Sequence, residues 1–106
     1  MNKTFGQLIA AARKAALICQ KDLAAAIRKE DGVAISPRYL NDIEHDRRNP
    51  PSEFIITQIA RELKLSADHL IAAAGIMPSD VQKDLRSGDP DRIEQAFRAF
   101  RRELKK

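Results

Sequence analysis

The sequence predicts an all-α protein. Aromatic residues make up 5% of its 106 residues and Trp is absent, while Ala and Leu, both strong helix formers, abound. Apolar residues recur at intervals of three and four within short stretches, the period of a helix with one buried side. Ser, Thr or Asp precedes most of these stretches, and glycine and proline gather at the joints, so the starts and stops suit several short helices.

Thr4 opens the first helix, and Gln7, three residues on, completes a capping-box pattern. Phe5, Ile9 and Ala12 give its buried stripe. Arg13 extends that stripe by one position, either as a surface guanidinium lying along alanines or as one half of a buried ion pair. Leu23, Ala24 and Ile27 form the inner face of a second helix. Cys19 stands where a Ser or Thr cap would be expected and reads as an inert, half-buried thiol. Residues 28–35 connect to a third helix through the turn signal Asp31-Gly32, with Val33 and Ile35 expected to tuck onto the core. Ser36 is that helix's cap and Pro37 its first residue. Pro50 and Pro51 enforce a stop. Ser52 caps a fourth helix with Ile55, Ile56, Ile59, Ala60 and Leu63 inside, and Phe54 falls on its polar side, where it suits a subunit contact. Ser66 caps a fifth helix, packed through Leu70 and Ile71 and ended by Gly75. Ile76-Met77-Pro78 marks a boundary, giving one domain over 1–78 and a helical extension over 79–106. In the extension a short helix starts at Ser79 with Gln82 completing a capping box, and Asp89-Pro90 opens a last helix running to about Leu104.

A chain this long buries one modest core. Its net charge of +4 permits a nucleic acid or an anionic surface as partner without proving either, and the basic surplus is shared between both parts. No apolar run approaches the roughly 20 residues of a membrane span, no signal peptide is visible, and a single cysteine excludes an internal disulfide framework, so a soluble cytoplasmic protein is expected. His45 and His69 are isolated, no metal-ligand spacing or phosphate-cradling glycine loop is present, and Cys19 has no evident base. An enzyme is not expected, nor any metal or cofactor.

The stretch from Ser36 to His45 carries the functional signal. At 100° per residue Tyr39, Leu40 and Ile43 share one side, and Arg38, Asn41, Asp42 and His45 the other. The second side is a compact row of donors and acceptors, the chemistry that base edges in a major groove require. Any amphipathic helix has a polar face, so its neighbours decide.

Those neighbours are Phe5-Gly6, Ile9, Arg13, Gln20, Leu23-Ala24, Ser36, Tyr39-Leu40, Ile43-Glu44, Arg48-Asn49-Pro50, Ile59-Ala60 and Leu63. In order and spacing this set resembles the helix-turn-helix proteins of the phage-repressor and Cro type, which include the bacterial xenobiotic-response-element regulators. The resemblance covers roughly residues 5–75. It implies a five-helix, lambda-repressor-like domain followed by the two-helix extension. It also implies that Pro37, Arg38 and Asp42 occupy base-reading positions flanked by Asn41 and His45. Gln20, Arg47 and Arg48 would meet phosphate, and Arg13 and Glu44 would form a structural ion pair between the first and third helices. Three departures stand out. The connection over 28–35 is about six residues longer than a tight turn and could alter the docking angle. Pro37 has no side-chain donor. Asp46 and Leu17 stand where a left-handed glycine is common.

The resemblance implies a sequence-specific regulator of transcription, a repressor, that places helix 36–46 in the major groove as a homodimer on a palindromic double-stranded operator. The alternative is the antitoxin of a toxin–antitoxin pair, binding a toxin or another protein through its last helix and regulating its own operon. In that helix Ile93, Phe97, Phe100 and Leu104 recur at spacings of four, three and four, with arginines opposite. The stripe suits a subunit contact, self-packing or a foreign partner; a basic tail along DNA would not need the phenylalanines.

Overall fold

The computed structural model describes residues 3–106, and every described element is helical apart from one isolated β-bridge. The chain divides into two compact units, Met1–Ile76 and Met77–Lys106.

The first unit holds α1 (Phe5–Ala15), α2 (Gln20–Ala26), α3 (Pro37–Glu44), α4 (Glu53–Leu63) and α5 (Ala67–Ala73). Each starts where a side chain satisfies an otherwise unpaired N–H. Thr4 and Gln7 form a reciprocal capping box, and Ser36, Ser52 and Ser66 cap α3, α4 and α5. Cys19 also caps, its Sγ accepting from the Asp22 N–H at 3.4 Å. The thiol is exposed rather than half-buried, because that duty holds it at the open end of α2.

The helices close around Ile9, Leu23, Ile27, Leu40, Ile43, Ile56, Ile59 and Leu70, all fully buried. α3 lies against both α1 and α2, and α4 supports α1, α2 and α5. Truncating Leu40 would remove core contacts worth about 2–5 kcal/mol. Gly6 lies inside α1 rather than at a joint. A Cβ there would sit 2.4 Å from the Ile43 carbonyl oxygen and 2.7 Å from that of Glu44. Hydrogen in place of a side chain lets the end of α3 touch α1.

Among the described residues three non-glycine positions take left-handed backbone: Leu17 (φ 60°), Asp46 (φ 57°) and Lys64 (φ 57°). At Asp46 the strained turn aims the carboxylate at the start of α1, where it accepts from the Thr4 hydroxyl and from the Gly6 N–H at 3.0 Å. One aspartate thus joins the end of α3 to the positive end of α1.

The long connection before α3 is a closed hairpin. Lys29 N–H donates to Val33 O (2.8 Å) and Ile35 N–H to Ile27 O (3.0 Å), with Gly32 in the left-handed turn at φ 87°. Gln58 on α4 holds its base, donating to Arg28 O and accepting from Arg28 N–H. The Ser52 hydroxyl donates to Glu30. Ile35 is buried as expected, but Val33 is 55% exposed, because the hairpin turns its side chain outward.

The second unit holds α6 (Ser79–Ser87) and α7 (Pro90–Leu104), the latter capped by Asp89. The expected Ser79–Gln82 capping box is not formed. Pro78 takes the cap position without a side-chain bond, and the Gln82 amide donates instead to Met77 O at 2.6 Å. Neither helix buries a residue. Leu85, Ile93 and Phe97 are half-buried, whereas Phe100 and Leu104 are 55% and 69% exposed.

Candidate nucleic-acid interface

The polar side of α3 is built from underneath. Arg13 grips Glu44 in a two-pronged pair, Nε to Oε2 at 2.6 Å and Nη2 to Oε1 at 3.0 Å, and its third donor, Nη1, reaches Ile18 O at 2.9 Å. The side chains are 11% and 2% exposed, so the charges are nearly out of water. The hydrogen bonds that Arg13 donates to Glu44, and the negative charge of that carboxylate, raise the Arg13 pKa above its already high ordinary value despite the opposing effect of burial. The guanidinium is therefore charged at neutral pH.

A carboxylate only accepts, so the Gln20 group facing Glu44 Oε1 at 3.0 Å must be its NH2. The other proton of that group goes to Asn41 Oδ1, also at 3.0 Å. This chain runs from the buried pair through the first residue of α2 to the edge of the polar face. It leaves Gln20 no amide proton for an outside acceptor, and it engages the Asn41 carbonyl oxygen rather than its NH2.

Pro37 and Arg38 stand exposed at the start of α3, and His45 is exposed at its end, its Nδ1 2.8 Å from Asn41 O. Asn41 and Asp42 are half-buried between them. Arg47 and Arg48, just past the helix, both turn back to Asp42: Arg47 Nη1 to Oδ1 at 3.8 Å and Arg48 Nε to Oδ2 at 3.4 Å. Arg48 also lies over the Tyr39 ring, 5.2 Å from its centre. The structure thus brings together Gln20, Pro37, Arg38, Asn41, Asp42, His45, Arg47 and Arg48 around one short helix. The return of both arginines to Asp42 is not visible in the sequence, since spacings of five and six across a helix end follow no helical pairing rule. The Asp46 bridge to α1, spanning 40 residues, left no local signal either.

A helix-turn-helix family model of the Cro and phage-repressor type matches residues 9–70, more than half of the chain and all of α2, the hairpin and α3. The chain belongs to the helix-turn-helix family. Neither the curated proteins nor the solved structures gave a match. The family is one of DNA-binding regulators, which makes this a DNA-binding helix-turn-helix protein. The extra residues of the long connection leave and return at one point, pinned by the Ile27–Ile35 hydrogen bond.

Phe54, 49% exposed, lies apart from that face. It borders an open cleft of about 520 Å³ lined by Arg28, Glu53, Thr57, Gln58 and Arg61. Ile93, Phe97, Phe100 and Leu104 belong to the second unit, on one side of α7, with Arg98 paired to Glu94 at 2.9 Å on the other. Among the described residues no group of His, Cys, Asp or Glu could hold a metal ion, and no helix is long and apolar enough to cross a membrane.

Proposed function

We propose that this protein is a sequence-specific repressor that sets α3 in the major groove, as a homodimer on a palindromic operator. The observation that carries the reading is the open start of α3: Arg38 stands free of any intramolecular ion pair among the described residues, on a helix held rigid from below by Arg13, Glu44 and Gln20. A guanidinium so placed suits the O6 and N7 of a guanine, and loss of such a contact costs about 1–3 kcal/mol at one base position. Asn41, whose Oδ1 is engaged by Gln20, offers its NH2 as a donor beside it. Arg47 and Arg48 are the phosphate-binding groups. Gln20 serves phosphate only indirectly, by bracing Asn41, because both its amide protons are engaged. Two recognition helices must lie about one DNA turn (~34 Å) apart, and something must hold them there. The unburied stripe of α7 is the element suited to that task.

The same stripe gives the antitoxin reading its footing, since an apolar face with no core of its own accepts a foreign helix as readily as a second copy. Selection of binding sites from random duplexes with purified protein separates the readings. A repressor dimer enriches a two-fold symmetric site with half-sites about 10 base pairs apart. Failure to enrich any sequence would overturn specific DNA binding and leave the protein-partner reading.

A further inference from the structure

Asp42 is a strange residue for a surface that meets a polyanion. It lies in the middle of the α3 face, its side chain only 20% exposed, and it forms ion pairs with the two arginines assigned to phosphate, accepting a hydrogen bond from Arg48. Three features hold this arrangement together. The Arg47 N–H closes on Asp42 O at 2.9 Å, fixing the chain where it leaves the helix. Arg48 is clamped between the carboxylate and the Tyr39 ring. The left-handed turn at Asp46 directs both arginines back over α3 instead of away from it.

We infer that Asp42 is a specificity-determining residue that withholds Arg47 and Arg48 from DNA phosphates until its own carboxylate meets a base carrying an exocyclic amine. The inference rests on the DNA-binding reading above. A carboxylate has no proton to give, so phosphates and the acceptor edges of guanine and thymine repel it. Only the N4 amine of cytosine and the N6 amine of adenine can satisfy it in the major groove. On other sequences, moving the arginines to phosphate strands the carboxylate against negative charge, so they stay with Asp42. On the right base pair the amine replaces them, and both are released together. Base reading and phosphate binding are therefore coupled through one side chain, and the protein holds random DNA weakly.

The test is the salt dependence of binding, measured with the full-length protein on the selected duplex and on a scrambled duplex of equal length. Each phosphate contact adds about 0.9 to the slope of log K against log salt. The wild type is expected to show a slope steeper by about 2 on the selected site. Arg47→Ala/Arg48→Ala removes that difference and leaves the scrambled slope unchanged. Asp42→Asn, close in size at a partly exposed position, is expected to steepen the scrambled slope and to lower the selected-to-scrambled affinity ratio by roughly tenfold or more, the scale of one lost base contact. In the Asp42→Asn background the paired arginine change is then felt on both duplexes. Replacing the read cytosine or adenine pair in the selected site is expected to reproduce the scrambled slope with the wild-type protein. The inference is overturned if the arginine change lowers both slopes equally in the wild type. It is equally overturned if Asp42→Asn tightens both duplexes by one factor, as loss of a bystander charge would. A selection that enriches no duplex fails earlier, at the DNA-binding reading, and removes the inference with it.

Discussion

Single residues in this protein act through what they touch across the fold, and two left-handed positions show it best. Leu17 and Asp46 have nearly the same backbone angle, a conformation that costs an L-residue roughly 1–2 kcal/mol. Leu17 is 93% exposed, so Leu17→Gly should raise stability by about 0.5–1 kcal/mol, after allowance for glycine's extra freedom in the unfolded chain. Asp46→Gly should do the opposite. It relieves the same strain but abandons the Thr4 and Gly6 donors of α1, at a net cost of about 1 kcal/mol. Opposite shifts in thermal midpoint are the expected result; equal shifts would deny Asp46 its bridging role. Glu44→Ala leaves Arg13 charged and nearly buried, and the expected loss is about 3–5 kcal/mol in denaturant unfolding. Since Arg13 keeps its proton well above neutral pH, and its raised pKa lets it lose that stabilisation only in strong alkali, it contributes no pH dependence near pH 7. A loss below about 1 kcal/mol would class the pair with exposed ones.

At the scale of elements, the sequence was legible wherever the signal is local. Thr4, Ser36, Ser52, Ser66 and Asp89 announce the starts of five helices because a cap bonds within three residues of itself. The apolar stripes of α1 to α5 likewise give the core. Where contacts are distant or the chain is irregular, legibility ends. Asp31-Gly32 signals a turn, but nothing local signals that residues 28–34 form a hairpin pinned to Gln58, which is why Val33 points outward and not onto the core. Of the α3 face, the residue types and the side they share could be read from periodicity. The Arg13–Glu44 pairing came only with the family resemblance, and the grip of Asp42 on Arg47 and Arg48 came from neither. The hairpin makes its own prediction. Replacing residues 30–32 with a two-residue Asn-Gly turn keeps the Lys29–Val33 and Ile27–Ile35 hydrogen bonds, and a shorter loop is cheap to close. The variant should unfold within about 1 kcal/mol of the parent and keep its helical circular dichroism. A collapse of either would show the hairpin to be part of the core.

For the whole molecule, the question is what the second unit does with an apolar stripe and no core. Two helices with no fully buried residue gain little apolar burial to offset the entropy of their own ordering. The dimer proposal gives Phe97, Phe100 and Leu104 a neighbour, so Phe97→Glu/Phe100→Glu in the full chain should halve the mass measured by light scattering and weaken operator binding. A variant that keeps the parent mass would assign the stripe to self-packing or to a foreign partner. The proposed regulatory role depends on α3 lying in a major groove with Arg38 at a base edge. Methylation protection at guanine N7, an atom found only in that groove, tests this most directly on the selected duplex. The account predicts two protected patches about 10 base pairs apart, with Arg38→Ala losing protection at one guanine in each while the remaining pattern persists. Binding without any N7 protection, or protection unchanged in Arg38→Ala, would contradict it.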